Sequence, residues 1–121
     1  MYLFGYALEE LNRKRKEEMI KFDYDNPEEC LAAVRQDGYA LAFVKEQTKE
    51  ICLEAVKQNW YALEYVKEQT EESCLEAVKQ NGLALYYVKE QTPEICLAAV
   101  KQNINALQYV KDLSMLEDID F

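Results

Sequence analysis

Four cysteines are the side chains with the widest chemical range in this chain, and they are evenly spaced. A thiolate can bind zinc, form a disulfide or act as a nucleophile. The cysteines are Cys30, Cys52, Cys74 and Cys96, each 22 residues after the one before. The chain has no histidine, which excludes Cys-His and Ser-His nucleophiles and every His-ligated metal site.

The residues around the cysteines follow the same spacing. Residues 48–69 and 70–91 are identical at 17 of 22 positions. Valine, alanine and leucine recur in register, as at Val34, Val56, Val78 and Val100, at Ala40, Ala62, Ala84 and Ala106, and at Leu41, Leu63, Leu85 and Leu107. We therefore divide residues 26–113 into four tandem copies of a 22-residue unit. Unit 1 covers residues 26–47, unit 2 residues 48–69, unit 3 residues 70–91 and unit 4 residues 92–113.

Each unit has the pattern of two short helices. The units begin with residue types that cap helix N-termini, namely Asn26, Thr48, Thr70 and Thr92. In unit 2, one apolar stripe at helical spacing covers residues 52–56 and a second covers residues 62–66. Asn59 lies between the stripes and tolerates the left-handed conformation that ends many helices. We expect two helices of about nine residues per unit, the second running to the next cap.

Helices this short need packing partners, because the nucleation of an isolated helix is costly. The sequence predicts an all-α fold, a right-handed α-solenoid of 22-residue helical-hairpin repeats with divergent terminal caps. A leucine-rich repeat has a similar period, but the unit lacks its strand pattern and is rich in helix-forming residues.

We expect a single domain with a different cap at each end. Residues 1–25 form a divergent N-terminal cap, in which residues 5–11 are similar to the second helix of a unit and are followed by an insertion. Residues 26–113 form the four units, and residues 114–121 form an acidic C-terminal cap or tail. A basic run over residues 13–16 is flanked by glutamates, which is typical of a solvated helix face.

The repeat also sets the expected role of the cysteines. Stacked helices lie about 8–10 Å apart, whereas a disulfide needs Cα atoms within about 7 Å and one zinc ion needs four sulfurs at about 2.3 Å. We expect four reduced, mostly buried core thiols, with no metal and no cofactor. Reduced thiols are typical of intracellular proteins, and we expect the chain in the cytoplasm, its own or that of a host cell.

The segment Cys74–Val88, with its Ala-Val-Lys-Gln-Asn-Gly-x-Ala-Leu core, resembles the tandem repeats of the domain of unknown function 4116. The resemblance covers residues 26–113 and, loosely, residues 5–11. That family occurs in giant viruses, phages and some bacteria, so the resemblance implies a helical repeat scaffold and a viral or phage origin. It implies no catalytic role and no ligand.

Positions that differ between units are candidates for partner contact, since repeat scaffolds vary their ligand-facing residues. One set is Glu29, Ile51, Ser73 and Ile95, and the others are at the turn between the helices, on the second helix and on the first helix. The predicted partner-binding residues are Trp60, Tyr61, Leu83 and Tyr86, with Glu54, Glu64 and Glu76 beside them. A recurring ladder of Phe43, Tyr65, Tyr87 and Tyr109 is better explained by packing between units.

Composition narrows the function. The chain has 121 residues and a formal net charge of −9, so we expect no direct nucleic-acid binding. No apolar run approaches the about 18 residues that a membrane span needs. The first hypothesis is a non-catalytic scaffold that binds a protein partner of unknown identity through its variable surface.

The alternative hypothesis is an acidic protein that mimics nucleic acid and inhibits a nucleic-acid-binding or defence protein. We expect no enzymatic activity, because His-based catalysis is excluded and no carboxylate pair has a reason for a shifted pKa. The oligomeric state is open at this point.

Overall fold

The computed structural model describes residues 2–117, which form α-helices and 3₁₀ helices and no strands. The α-helices are α1 (Tyr2–Met19), α2 (Pro27–Gln36), α3 (Lys49–Gln58), α4 (Glu71–Gln80) and α5 (Pro93–Gln102). The 3₁₀ helices are η1 (Gly38–Phe43), η2 (Trp60–Tyr65), η3 (Gly82–Tyr87), η4 (Ile104–Tyr109) and η5 (Leu113–Leu116). Among the described residues, no helix is both long enough and apolar enough to cross a membrane.

The first helix of each unit begins at the predicted cap. The Thr48 hydroxyl accepts a hydrogen bond from the Ile51 amide at 3.1 Å, and Asn26, Thr70 and Thr92 make the equivalent bonds. Each side chain satisfies an amide that has no partner within the helix. Acidic residues in the first turn and a lysine or arginine in the last complement the helix dipole.

The second segment of each unit differs from the prediction. It is a six-residue 3₁₀ helix that ends at Phe43, Tyr65, Tyr87 or Tyr109, and the residues up to the next cap are irregular. The residue between the segments is extended, as at Asn59 with φ −156°, and within residues 2–117 no residue has a positive φ. The prediction of a left-handed helix end was therefore wrong. Asn59 instead ends α3 with its amide and caps η2 by accepting from the Tyr61 amide at 3.0 Å.

The units stack in chain order and share one continuous core. Helices α2 to α5 pack against their neighbours in sequence, and so do η1 to η4. The core alanines of the α-helices are fully buried, and so are Leu41, Leu63 and Leu85 of the first three 3₁₀ helices. All four cysteines are buried, as predicted. This core fixes the exposed edge of every 3₁₀ helix, where the candidate site lies.

The N-terminal region is one α-helix of 18 residues. Residues 5–11 lie inside α1 rather than in a six-residue 3₁₀ helix, so they do not reproduce the second segment of a unit. Met19 at the end of α1 is buried in the shared core, and its carbonyl accepts a bond from the Tyr24 hydroxyl at 2.6 Å. At the other end, η5 packs on α5 through Leu116, and residues 118–121 of the predicted acidic tail lie outside the described residues.

Candidate interaction surface

Aromatic side chains of neighbouring 3₁₀ helices form a continuous cluster along one side of the stack. We call this cluster the aromatic face, and it consists of Tyr39, Trp60, Tyr61, Tyr65, Tyr86, Tyr87 and Tyr109. Adjacent ring centroids are 5.1 Å to 6.4 Å apart, mostly in edge-to-face arrangements. The face crosses all four units, because each 3₁₀ helix presents its aromatics at the same place.

The four predicted apolar contact residues lie on or next to this face, with different exposure. Tyr86 is 66% exposed and is the most accessible ring of the face. Trp60, Tyr61 and Leu83 are half-buried. Trp60, predicted as a partner contact, also packs within the fold, because its ring lies 5.4 Å from that of Tyr61 and 6.4 Å from that of Tyr87 and packs against the core.

The three predicted glutamates lie in two different places. Glu64 is exposed on η2, three residues after Tyr61, and residues three apart on a 3₁₀ helix lie on the same side, so it belongs with the aromatic face. Glu54 instead pairs with Arg35 of α2 at 3.6 Å, and Glu76 accepts from Gln80 on its own helix at 3.4 Å. Among the described residues, no hydrogen bond or ion pair links Glu54 or Glu76 to the aromatic face.

Tyr61 is held by polar partners as well as by its rings. Hydrogen bonding to Tyr87, together with hydrogen bonding to Glu64, raises the pKa of the Tyr61 hydroxyl far above its ordinary value. The raised pKa keeps the hydroxyl protonated at neutral pH. Tyr61 therefore has both aromatic neighbours and a carboxylate beside it.

One set of variable positions was wrongly predicted as surface. Ile51 and Ile95 are each 1% exposed and Ser73 is 2% exposed, so these residues belong to the core. Ser73 fits there because its hydroxyl shares a hydrogen bond of 2.9 Å with Thr70, which satisfies a polar group that would otherwise be costly to bury. Variation between units at this position reflects different packing of each layer.

Helix α1 supplies a charged contact at the first unit. The Arg15 Nε lies 2.8 Å from Asp37 Oδ2, and the guanidinium lies over the Tyr39 ring, 4.7 Å from its centroid. A groove between α1 and the aromatic face is lined by Lys16, Phe43, Tyr61 and Tyr65 among others. The sequence analysis missed this contact, since nothing in the basic run distinguishes Arg15 from its neighbours.

The cysteines and a set of glutamines line the irregular edge of the units, where the segments after the 3₁₀ helices lie. Gln69 donates to the Tyr87 carbonyl at 2.7 Å and accepts from the Lys89 amide at 2.9 Å. Gln47 and Gln91 make the same pair of bonds to the following irregular segments. The Cys74 thiol donates to the same Gln69 oxygen at 3.6 Å, and burial is the first cause that raises the pKa of that thiol.

Sequence reasoning missed this glutamine ladder, although its signal was present. Gln47, Gln69 and Gln91 recur in strict register, and a polar residue that recurs in that way needs a structural partner. Shallow clefts at this edge are lined by lysine and glutamate side chains in alternation, such as Lys67, Glu68, Lys89 and Glu90. Within residues 2–117, no three Cys, Asp or Glu side chains come together as a metal site.

Comparison with known sequences agrees with this architecture. The sequence profile described as Domain of unknown function (DUF4116) matches residues 26–71 and, adjacent to them, residues 70–114. The chain belongs to the DUF4116 family. Each match spans two of the 22-residue units, and together they cover the four units from α2 to η4. No curated protein and no solved structure matches the chain significantly.

Proposed function

We propose that this DUF4116 chain is a non-catalytic helical-repeat scaffold that binds a protein partner through the aromatic face. The observation that carries the proposal is the continuity of that face across four units, with Tyr86 of unit 3 66% exposed between Tyr87 and Tyr109. Tyrosine and tryptophan dominate the energetics of protein interfaces. A rigid stack also presents its contact residues at low entropic cost.

The proposal includes the finer features of the fold and the setting. We take the stack to be a right-handed α-solenoid with a 22-residue repeat, which the recurrence of one α-helix and one 3₁₀ helix per unit supports. A cytoplasmic location agrees with four buried free thiols. A non-catalytic role agrees with the lack of histidine and with thiols whose pKa burial raises, since a reactive cysteine needs a lowered pKa.

The placement of exposed charges supports the acidic-mimic hypothesis less well than it supports a protein-binding scaffold. A nucleic-acid mimic needs its carboxylates gathered without compensating cations. At the irregular edge Glu46, Glu68 and Glu90 instead each follow a lysine, and the Lys67 ammonium bonds back to the Lys45 carbonyl at 2.9 Å. On the aromatic face, Glu64 lies among neutral rings.

Tyr86→Ala tests the proposed face. Because Tyr86 is mostly exposed, its removal should leave the melting temperature nearly unchanged. Loss of an exposed aromatic contact should weaken partner binding by about 2 kcal/mol, or roughly thirtyfold. The partner is first captured from a cell lysate by the tagged chain and identified by mass spectrometry, and the affinity of the purified pair is then measured by calorimetry.

Leu113→Ala is the matched control, because Leu113 is 62% exposed but lies in η5, outside the aromatic face. It should bind the partner as the parent does. Equal affinities for the parent and Tyr86→Ala would show that the aromatic face is not the binding surface.

A further inference from the structure

The aromatic face already holds one arginine, and that contact shows what the face can recognise. Arg15 lies with its guanidinium over the Tyr39 ring and its Nε against Asp37. A cation over an aromatic face is attracted by the ring quadrupole, and a carboxylate beside the ring adds a charge-assisted hydrogen bond. The two groups together distinguish an arginine from a neutral side chain.

Unit 2 has an equivalent tyrosine ring, and its nearby carboxylate comes from a different position in the unit. Tyr61 occupies in unit 2 the position of Tyr39 in unit 1, and the two rings are 5.5 Å apart. Asn59 replaces Asp37, but Glu64 lies three residues after Tyr61 on η2. Residues three apart on a 3₁₀ helix lie on the same side, so ring and carboxylate adjoin each other again.

This second position holds no cation of its own. Within residues 2–117, the described cation contacts are Arg15 with Tyr39 and Lys21 with Phe22. Glu64 is exposed and makes none of the ion pairs of the described residues. Two basic residues line the groove beside Tyr61. Arg15 is paired with Asp37, and Lys16 is exposed and makes none of the described ion pairs, so neither is paired with Glu64.

We propose that Tyr61 and Glu64 form an arginine-binding position, so that the aromatic face recognises a partner segment with an exposed arginine. This inference rests on the proposed function and names the chemistry of the partner. The net charge of −9 attracts such a segment over a longer range. Arginine is favoured over lysine, because a planar guanidinium both stacks on a ring and bonds a carboxylate in two places.

The experiment measures the binding of fluorescein-labelled hexa-arginine and hexa-lysine by anisotropy at about 150 mM salt, where long-range attraction between exposed charges is largely screened. Hexa-arginine should bind several-fold more tightly than hexa-lysine. Trp60 is the chain's single tryptophan and lies 5.4 Å from Tyr61, so its fluorescence should change on binding and locate the peptide on this face.

Two variants with the same change in charge distinguish specific arginine binding at Tyr61 and Glu64 from non-specific attraction to the negative chain. Glu64→Gln should weaken hexa-arginine binding by about fivefold. Glu90→Gln removes an exposed carboxylate from the irregular edge and should change the affinity by less than about twofold. Circular dichroism melting of both proteins checks that neither variant unfolds, and Tyr61→Leu tests the ring separately.

Equal effects of Glu64→Gln and Glu90→Gln, or equal affinities for the two peptides, would overturn the inference in favour of diffuse charge attraction. Absence of hexa-arginine binding would overturn it as well. If a captured protein partner depends on Tyr86 while hexa-arginine neither binds nor competes with it, the proposed function stands and the arginine position alone is wrong.

Discussion

At the scale of single residues, the glutamine ladder explains more of the repeat than the cysteines do. Gln69 satisfies the carbonyl of Tyr87, the last residue of η3, and the amide of Lys89 in the irregular segment that follows. Buried backbone groups without partners are costly. The thiols of Cys52, Cys74 and Cys96 each donate to a glutamine oxygen of the ladder, so a small, weak donor fits at these three positions. The Cys30 thiol, which has no ladder glutamine before it, donates to the Tyr24 carbonyl instead.

Gln69→Ala should therefore lower the free energy of unfolding by about 1–3 kcal/mol, since two hydrogen bonds are lost and their backbone partners are left unpaired. Gln58→Ala is the control, because Gln58 is exposed at the end of α3 and should change stability by less than about 0.5 kcal/mol. Urea unfolding followed by circular dichroism measures both values. Similar losses in the two variants would mean that the ladder contributes no specific stability.

Cys74 gives a prediction about pH. Burial, and then the nearby Glu71 carboxylate, raises the pKa of its thiol from 9.0 to about 11. Between these two values the folded chain retains a proton that the unfolded chain has released, so this thiol's contribution to stability is present below pH 9.0 and is lost as the pH rises toward about 11.

Cys74→Ala should remove that contribution. The variant should consequently lose less stability than the parent between about pH 8 and about pH 11, as measured by urea unfolding at both pH values under reducing conditions. Comparison with the parent cancels the titration of the tyrosines and lysines. Parallel pH profiles would show that the Cys74 thiol titrates alike in the folded and unfolded chains.

At the scale of elements, the sequence predicted the α-helices but not the form of the second segment. Residue types at Thr48 and in the first turn decide where α3 begins, and those are local signals. The end of η2 is decided elsewhere, because Gln47 of the preceding unit binds the Tyr65 carbonyl and the Lys67 amide. A hydrogen bond from a side chain of another unit cannot be predicted from the local pattern of apolar residues.

The residues of the candidate interaction surface were also predicted only in part. Self-comparison of the units found Tyr61, Glu64 and Tyr86, because exposed positions vary freely. It could not separate them from Ile51, which varies inside the core, or from Glu54, whose partner Arg35 belongs to another unit. Exposure and contacts across units depend on the stacking geometry, which the period alone does not define.

Gly38 shows how closely elements approach within a pair of units. A Cβ atom at this position would lie 2.6 Å from the Ala55 carbonyl oxygen of the next unit, and a Cβ at Gly82 would clash with Ala99 in the same way. Because the obstacle is backbone, Gly38→Ala should destabilise the chain by about 1–3 kcal/mol. Ile104→Ala, at the equivalent but 60% exposed position of unit 4, should cost less than about 0.5 kcal/mol. If thermal melts showed that Gly38→Ala loses as little stability as Ile104→Ala, the close approach would be contradicted.

At the scale of the whole molecule, the units form two tight pairs. Glycine occupies this close-approach position in units 1 and 3, whereas unit 2 has Trp60 there. Helices α3 and α4 accordingly pack less closely than α2 with α3 or α4 with α5. The two DUF4116 matches follow the same division. Each match therefore covers one pair of units in this chain, and the aromatic face includes Trp60 and Tyr61 at the looser junction between the pairs.

Stacking also makes stability depend on position along the molecule, because each unit is covered mainly by its neighbours. Leu85 in unit 3 is fully buried, whereas the equivalent Leu107 in unit 4 is 37% exposed. Leu85→Ala should therefore cost about 2–5 kcal/mol in unfolding free energy, the range for a large-to-small core substitution, and Leu107→Ala well under half of that. Hydrogen exchange should show the same order, with amides of η4 less protected than those of η3. Equal costs for the two leucines, together with equal protection, would mean that unit 4 is covered in solution by a further contact, such as a second copy of the chain.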